Sequence, residues 1–313
     1  MESLERLELI KTHNKLKDKK ILITGATGFL GSHLLPALIG KGYDIIILKR
    51  SFSNTWRIQN VLSQIKSYDI DKTDMKKIFD ENEIGGIIHL ATDYGKKNDN
   101  NIIQMSKANI ELPAQLLDSC TKYGIKFFIN THTFANNKYS LYSATKSAFT
   151  EIARYFAANY QVKFINMRLE YMYGEKDDYT KFVPFVIKSI LEDKEIRATE
   201  GEQKRDFIYV KDIVDVYLKV LDNLKNLDKK FLEFEIGTGN SISLRDFVSE
   251  IEEKVNKKAN IKWGEIPYRK NEIFDSKADI KKAKNIIGWY PKYDISNGLK
   301  KTVDWYKNLW EER

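Results

Sequence analysis

Cysteine and histidine are scarce in this chain. It contains one cysteine, Cys120, and four histidines among 313 residues. A single cysteine excludes a disulfide framework, which suits a reducing compartment such as the cytoplasm. Without a cluster of cysteine and histidine a structural zinc site is not expected, and we predict no metal site. Cys120 lies in a predicted helix, where we expect a small buried apolar side chain.

Long apolar runs are also missing. No run approaches the roughly 18 residues that a membrane-spanning helix needs, so we predict no contact with a membrane. The first residues are polar and charged without a continuous apolar segment, and no signal peptide is visible. Hydrophobic residues nevertheless make up 42% of the chain, which predicts a packed core. We expect a cytoplasmic protein with one large domain or two moderate ones.

The net charge is +8 and the pI is about 9.1. The basic residues are scattered and interrupted by acids, as in Lys17-Asp18-Lys19-Lys20, so we predict no nucleic-acid partner. A lysine-rich solvated surface explains this charge. The functional alternative is mild attraction of a polyanionic ligand, such as a nucleotide diphosphate.

A glycine-rich turn organises the start of the chain. Residues 24–31 read Thr-Gly-Ala-Thr-Gly-Phe-Leu-Gly, after a short apolar run and before apolar residues at helical spacing. Strand, glycine turn and helix form the opening of a dinucleotide-binding fold, in which the turn and the helix N-terminus hold a pyrophosphate. A purely structural glycine loop is the alternative. The cofactor contacts predicted here are Gly25, Thr27, Gly28, Phe29 and Leu30.

The second predicted strand, residues 43–48, ends at Lys49-Arg50-Ser51. Many NAD-binding folds have an acid at this position, which holds the ribose 2′-hydroxyl. Two cations and a hydroxyl suit a 2′-phosphate instead, because a guanidinium can fork onto phosphate oxygens. The sequence therefore favours NADP(H), with NAD(H) possible. The alternative is two cations that simply face solvent.

Strands and helices alternate along the first half of the chain. Alternation of this kind predicts an α/β fold with a Rossmann-type doubly wound parallel sheet, whose ligands bind beyond the carboxyl ends of the strands. His89, in the fourth strand, is either a core histidine or a ligand contact. Further strands are predicted at 68–71, 86–91, 126–130 and 163–168, and helices at 74–82 and 106–123. The polar residues that follow the fourth and fifth strands are Thr92, Asp93, Tyr94, Thr131, His132 and Thr133.

The alternation loosens after residue 174. We predict a dinucleotide-binding domain at 1–174, with an N-terminal arm at 1–18, and a smaller substrate-binding lobe at 175–313 with some segments that return to the first domain. The helices and strands predicted in this part are 182–191, 212–224, 231–236, 243–255, 280–287 and 295–310.

Tyr142 and Lys146 lie at the start of another predicted helix. Residues four apart share one helix face, and a neighbouring ammonium lowers the pKa of a phenol from about 10 towards neutrality. Such a pair can serve as a general acid or base. The same spacing is common in ordinary helices. Its place after a dinucleotide turn and five strands is what favours catalysis.

Together these segments resemble the extended short-chain dehydrogenase/reductase family, in its nucleotide-sugar epimerase and dehydratase branch. The resemblance extends over nearly the whole chain from Lys20. It rests on residues 24–31, 88–91, 168–174, 205–212, 237–239 and 288–291, together with Asn109, Tyr142 and Lys146.

Within that branch the chain most resembles 4-ketoreductases of the CDP-abequose and CDP-paratose synthase type, on residues 128–134, 200–207 and 267–272. The resemblance implies a cytoplasmic, homodimeric oxidoreductase of cell-surface polysaccharide biosynthesis. It would use NADPH to reduce the 4-keto group of a CDP- or dTDP-linked sugar. An epimerase that retains NAD, a 4-dehydrogenase and a non-catalytic dinucleotide-binding regulator remain alternatives.

The resemblance also implies roles for individual residues. Tyr142 would give its proton to the sugar C4 oxygen, and Lys146 would bind the nicotinamide ribose. Thr131, or alternatively Thr133, would hydrogen-bond the reacting oxygen. The further cofactor contacts implied are Asp69, Ile70, Leu90, Ala91, Thr92 and Asn109. The substrate contacts implied are Thr133, Tyr171, Arg205 and Arg269, with the two arginines on the diphosphate. Tyr94 and His132 are further candidate substrate contacts because they follow the fourth and fifth strands at the ligand-binding edge of the sheet, where Asp93 and Tyr94 could line the nicotinamide pocket.

Three departures from the family pattern are visible. The 4,6-dehydratases carry Asp-Glu directly after the catalytic threonine, whereas His132 and Thr133 follow Thr131 here, so dehydration is disfavoured. Thr131 and Tyr142 are only 11 positions apart, which predicts a short connecting loop. Tyr171 stands where many members have an asparagine that touches the sugar.

Overall fold

The computed structural model describes residues 19–95, 101–135 and 139–312. The arm predicted at 1–18 lies outside these ranges. Two compact units are present. The first contains the described residues up to Arg168 together with Tyr217–Phe234, and the second contains Leu169–Val216 and the residues from Glu235 onward. The predicted boundary at 174 stays a prediction, because close packing within one chain does not show which segment folds on its own.

Seven strands form one sheet in the order β11-β6-β5-β4-β1-β2-β3. The β3–β2–β1–β4–β5 pairings are parallel, with Ile23 opposite Ile47 on one side and Ile88 on the other. This arrangement confirms the predicted α/β Rossmann-type class. The strands of this sheet are β1 (Lys20–Thr24), β2 (Ile45–Lys49), β3 (Lys66–Asp69), β4 (Ile84–His89), β5 (Phe127–Thr133), β6 (Lys163–Leu169) and β11 (Phe231–Ile236).

Helices connect the strands of the sheet. In the first half of the chain they are α1 (Phe29–Gly40), α2 (Met75–Asp80), α3 (Ile102–Ser106), α4 (Leu112–Lys122) and α5 (Leu141–Asn159), with short 3₁₀ turns at Trp56–Ile58 and Leu62–Gln64. The later helices are α6 (Phe182–Leu191), α7 (Val210–Asn223), α8 (Leu244–Val255), α9 (Lys281–Ile287) and α10 (Ile295–Glu311). Within the described ranges no helix is both long and apolar enough to cross a membrane.

The core of the first unit explains why these segments form strands and helices. Phe128 in β5, Phe149 in α5 and Phe164 in β6 are buried, with ring centroids 5.4 to 6.0 Å apart. Each such side chain contributes about 1.5–3 kcal/mol on burial. Cys120 is buried in the same cluster, as predicted, and burial raises the pKa of its thiol. This packing sets α5, and hence Tyr142, against the sheet.

Two elements differ from the sequence-based expectation. The fifth strand was expected to end at Asn130 but continues to Thr133. Thr131 and Thr133 therefore lie in the strand rather than after it, because β-branched residues favour extended backbone. The helix expected at 106–123 is interrupted by a π-helical segment, Lys107–Glu111, between α3 and α4. Such segments often occur at functional sites.

The second unit contains three small two-stranded sheets. These pair β7 (Tyr171–Tyr173) with β10 (Phe207–Tyr209), β8 (Ile196–Arg197) with β13 (Ile261–Lys262), and β9 (Lys204–Arg205) with β12 (Ile242–Ser243).

Buried acids hold the loops of the second unit. Asp206 is fully buried and accepts hydrogen bonds from the backbone N–H groups of Thr238, Gly239 and Ala278, at 2.7, 2.9 and 3.2 Å. Asp212 accepts hydrogen bonds from the Lys292 and Tyr293 N–H groups. Two acids of the family motifs thus act as loop anchors.

Candidate active site

The glycine turn brings three backbone segments into close contact. Gly25 has a φ of +71°, and a Cβ there would lie 2.6 Å from the Ala91 nitrogen. Gly31 is equally confined, because a Cβ on it would overlap the Gly25 carbonyl oxygen. Helix α1 begins at Phe29 without a side-chain cap on its first N–H groups. Uncapped N–H groups at a helix N-terminus, next to a glycine turn, fit the pyrophosphate of a dinucleotide.

Carboxylates neutralise part of the basic segment that follows β2. Lys49 forms an ion pair with Asp69 at the end of β3. The Ser51 N–H and hydroxyl both donate to Asp71, each at 2.7 Å. The Arg50 guanidinium lies 4.8 Å from the centre of the Phe52 ring. Of the two cations expected to bind a 2′-phosphate, Lys49 is therefore paired with Asp69, whereas Arg50 is paired with neither of these two carboxylates.

The end of β4 is tied to β1 by the buried Thr24. Its hydroxyl lies 2.8 Å from Nδ1 of His89 and accepts a hydrogen bond from the Ala91 N–H at 3.2 Å. His89 is fully buried, and within the described ranges its Nε2 has no hydrogen-bond partner. Burial, together with the nearby Lys146, lowers the pKa of His89 well below its usual range. His89 is thus a neutral core histidine, one of its two predicted alternatives.

Asn109 connects the turn after β4 to helix α5. Its Oδ1 accepts from the Thr92 hydroxyl and the Asp93 N–H, at 3.0 and 2.8 Å. Its Nδ2 donates to the Asp93 carbonyl and the Thr145 hydroxyl, at 2.9 and 3.0 Å. Thr145 in turn donates to the Tyr142 carbonyl. All four hydrogen bonds that an amide can form are used within the protein. Asn109 therefore positions the turn and the helix, and its predicted cofactor contact stays a prediction.

Tyr142 is the second residue of α5. Ser140 caps this helix, since its side chain accepts the Ser143 N–H while the Ser143 hydroxyl accepts the Ser140 N–H. The Tyr142 ring lies 4.8 Å from the Tyr94 ring, centroid to centroid. Burial is the main cause that raises the pKa of the Tyr142 phenol well above its usual range, and Tyr94 raises it further. Tyr142 is therefore held in its protonated form.

Lys146 lies one turn along α5 from Tyr142 and is only 2% exposed. Burial lowers the pKa of its ammonium from 10.5 to about 7. The sequence suggested that this ammonium would lower the pKa of Tyr142. The described contacts act in the opposite direction, because burial destabilises the charged forms of both groups.

The hydroxyls of β5 have different surroundings. Thr131 Oγ1 lies 2.6 Å from the hydroxyl of Tyr217, a fully buried residue of α7. Thr133 Oγ1 accepts only a long hydrogen bond, from the Ala135 N–H at 3.4 Å, among the contacts described. Between them, His132 accepts the Thr133 N–H at Nδ1, and burial lowers its pKa to about 4. His132 is thus neutral, and its Nδ1 is used within the protein.

In the second unit the structure brings Tyr171 and Arg205 together. Arg205 is 4% exposed and donates from Nε to the Tyr171 hydroxyl at 2.9 Å. Its other nitrogens donate to the Glu272 carboxylate and to the Lys204 and Ile273 carbonyls. Arg269 is exposed, and its carbonyl accepts the Glu272 N–H in a turn. The predicted diphosphate contact of Arg205 therefore competes with Glu272.

Comparisons with known proteins identify the family of the chain. The model of the NAD dependent epimerase/dehydratase family matches residues 21–237. The chain belongs to this family. CDP-abequose synthase from Salmonella muenchen is 37% identical over 91% of this chain and 97% of its own length. The CDP-abequose synthase of Salmonella typhimurium strain LT2 is 34% identical over 90% of this chain and 97% of its own length.

Solved structures of epimerases share the fold. UDP-glucose 4-epimerase from Thermotoga maritima, solved with UDP-glucose, superposes with a TM-score of 0.81 at 26% identity, over 93% of this chain and 99% of the other. UDP-glucuronic acid 4-epimerase from Bacillus cereus, solved with UDP-glucuronic acid and NAD, gives a TM-score of 0.82 at 26% identity with the same coverage. The chain is thus a nucleotide-sugar enzyme of the epimerase/dehydratase family.

Some residues that build the site of this family member were not predicted. Thr24, Thr145, Tyr217 and Glu272 contact the predicted residues directly. Thr24 could have been predicted from the sequence, because it is the first residue of the glycine motif. No sequence motif around Tyr217 or Glu272 indicates that these residues belong to the site. They lie 86 and 67 positions from Thr131 and Arg205, the residues they contact.

Proposed function

We propose that this protein reduces the 4-keto group of a nucleoside-diphosphate 4-keto-deoxy sugar with NADPH. The observation that carries the proposal is the 37% identity to a CDP-abequose synthase over 91% of the chain. For the same reason a CDP-linked sugar is the favoured substrate, with a dTDP-linked sugar second. The cytoplasmic location and the homodimer implied by the family resemblance belong to the same proposal.

The state of Tyr142 supports reduction. A ketone needs a hydride at carbon and a proton at oxygen, and a nicotinamide cofactor at the glycine turn would supply the hydride. Tyr142 would give its proton to the oxygen as general acid. A phenol whose pKa is raised stays protonated at neutral pH, which this direction of reaction requires. Lys146 would hold the nicotinamide ribose, as the family resemblance implies.

The second hydroxyl at the reacting oxygen is better assigned to Thr133 than to Thr131. The Thr131 hydroxyl already has a short partner in Tyr217, whereas the Thr133 hydroxyl has only its long contact to the Ala135 N–H among those described. Neither assignment creates a dehydratase. His132 and Thr133 follow Thr131, and Phe134 and Ala135 follow Thr133, so neither threonine is followed by the Asp-Glu pair that the dehydratases use for elimination of water.

Arg50 supports the preference for NADPH over NADH. It brings a guanidinium to the end of β2, next to the region where this fold holds the adenosine ribose. The proposed contacts of the sugar diphosphate are Arg205 and Arg269. Tyr171, which accepts a hydrogen bond from Arg205, would then orient that arginine rather than contact the sugar.

The test is direct. Purified protein is incubated with NADPH and a panel of CDP- and dTDP-4-keto-6-deoxy sugars, and the loss of NADPH absorbance is followed. We expect oxidation of one NADPH per alcohol formed, with the CDP-linked sugars as the faster substrates. If no sugar of the panel causes NADPH consumption, the proposal fails.

An epimerase that retains NAD is the second candidate. Two observations favour it. Asp69 and Asp71 reduce the positive charge available to a 2′-phosphate, and the solved epimerase from Bacillus cereus contains NAD. An epimerase would release tightly bound NAD on denaturation and consume none during turnover. Mass spectrometry of the nucleotides released from the purified protein separates the two candidates.

A further inference from the structure

The turn after β4 places a second phenol against Tyr142. The rings of Tyr94 and Tyr142 are 4.8 Å apart between centroids, with their planes at 37°. Besides burial, the side chains of Tyr94 and Thr92 shift the pKa of the Tyr142 phenol, which Tyr94 raises and Thr92 lowers. The proton that Tyr142 gives up in each turnover therefore has two protein hydroxyls as neighbours.

The hydroxyls of Thr92 and Tyr94 have different surroundings. Thr92 donates its proton to Oδ1 of Asn109, a residue that is fully buried. An amide oxygen only accepts hydrogen bonds, so this path carries no proton in from solvent. Tyr94 is 51% exposed. Its hydroxyl belongs to a side chain that meets solvent, while Lys146, the other titratable group near Tyr142 on α5, is 2% exposed.

The position of Tyr94 is fixed by its neighbours in the chain. Asp93 is held by Asn109 through both its N–H and its carbonyl, at 2.8 and 2.9 Å. The Asp93 carboxylate accepts the Gly95 N–H at 2.8 Å. Because Asn109 also holds Thr145 of α5, the turn that carries Tyr94 and the helix that carries Tyr142 share one buried anchor.

We propose that Tyr94 is the proton relay that restores the proton of Tyr142 after each reduction. This step rests on the proposed function. The O–H bond of Tyr142 breaks as its proton passes to the ketone oxygen, which leaves a phenolate. Tyr94 then donates its own proton to that phenolate and takes a replacement from water or from a buffer acid. One solvent proton is consumed for each hydride transferred.

Tyr94→Phe tests the relay, because it keeps the ring contact and removes the hydroxyl. Tyr142 begins the first turnover already protonated, so we expect the variant to oxidise one equivalent of NADPH at the wild-type rate. Later turnovers should be slower by roughly tenfold and should accelerate with the concentration of imidazole as a small proton donor. Stopped-flow absorbance with excess CDP-4-keto-6-deoxy sugar resolves the two phases. Tyr155→Phe, at an exposed tyrosine of α5, is the matched control and should behave as wild type.

Two outcomes would overturn the relay. One is a Tyr94→Phe variant whose steady-state rate lies within twofold of wild type and does not respond to imidazole. The other is a raised KM with an unchanged kcat, which would make Tyr94 a substrate contact. Either result leaves the reductase intact, since wild type would still oxidise NADPH. Absence of turnover by the wild-type protein would instead refute the proposed function, and the relay with it.

Discussion

Both units contain family motif residues, but these residues have different surroundings in the two units. In the first unit the motif residues include groups whose pKa values burial shifts, above all Tyr142, whose pKa it raises, and Lys146, whose pKa it lowers. In the second unit the motif acids Asp206 and Asp212 are occupied by backbone N–H groups of neighbouring loops. A motif residue is therefore a candidate for chemistry only when its hydrogen-bonding capacity is not already used by the fold.

Arg205 shows the same distinction inside the second unit. Its guanidinium is buried and donates to one carboxylate, one phenol and two carbonyls. A buried ion pair resists the loss of one partner, because the remaining charge would be uncompensated. Diphosphate binding by Arg205 would therefore require Glu272 to move or to share the guanidinium.

Tyr142→Phe should cause the largest loss of activity, and it tests whether the first unit supplies the general acid. Loss of a general acid typically reduces the rate by a factor of about 10²–10⁴. The ring and its contact to Tyr94 remain, so the melting temperature should stay near that of wild type. NADPH oxidation and a thermal melt measure the two quantities. A variant that oxidises NADPH as fast as wild type would refute the role of Tyr142 as general acid, whereas absence of NADPH oxidation in both proteins would favour the non-catalytic regulator.

Asp206→Ala tests whether the buried acids of the second unit anchor its loops. The substitution leaves the N–H groups of Thr238, Gly239 and Ala278 without their acceptor, and we expect a loss of about 3 kcal/mol in the free energy of unfolding. Urea denaturation measures it. Asp304→Ala, at an exposed position of α10, is the control and should change stability by less than about 0.5 kcal/mol. Equal stabilities of the two variants would contradict the anchoring role.

Arg50→Ala and Lys49→Ala sharpen the assignment of the cofactor in the first unit. We expect Arg50→Ala to weaken NADPH binding about tenfold and to leave NADH binding unchanged, since only NADPH carries the 2′-phosphate. Lys49→Ala should have a smaller effect because Asp69 already pairs with that ammonium. Calorimetric titration with both nucleotides provides the comparison. An equal loss for both nucleotides would favour NAD and the epimerase.

Lys146→Met gives the smallest expected effect, a modest stabilisation whose size depends on pH. The pKa of Lys146 is about 7 in the folded protein and near 10.5 when the chain is unfolded. Between these values the unfolded state binds more protons, so the contribution of this group to stability rises with pH. The variant should therefore melt a few degrees above wild type at neutral pH, and the difference should shrink towards pH 10. Thermal melts of both proteins across this pH range measure the difference in melting temperature. A difference that does not change with pH would contradict the lowered pKa of Lys146.

Local patterns predicted most of the fold. The apolar runs of β1 and β4, and the spacing of α5 and α6, correspond to the observed elements because their burial follows directly from composition and period. The two predictions that failed concern local backbone geometry, which the periodicity of apolar residues does not determine. The π-helical segment before α4 and the extension of β5 to Thr133 are the two examples.

The site was less predictable than the fold. Tyr142 and Lys146 were identified from spacing and resemblance, but the direction of the Tyr142 pKa shift depends on the burial produced by distant segments. The pairing of Lys49 with Asp69 joins residues 20 positions apart on two strands. The Asn109 amide forms hydrogen bonds with Thr92 and Thr145, which lie 17 and 36 positions away in the sequence. Such contacts arise only when the chain is folded.

Strand β11 has a consequence for the order in which this protein can be made. It lies beside β6 at the edge of the seven-stranded sheet, yet it spans residues 231–236. A ribosome must therefore synthesise α6 and α7 before the edge of the sheet can be covered. Until then β6 exposes unpaired backbone groups that invite pairing with another chain. A fragment that ends at residue 174 would keep this edge open permanently, and its aggregation would reflect the missing strand.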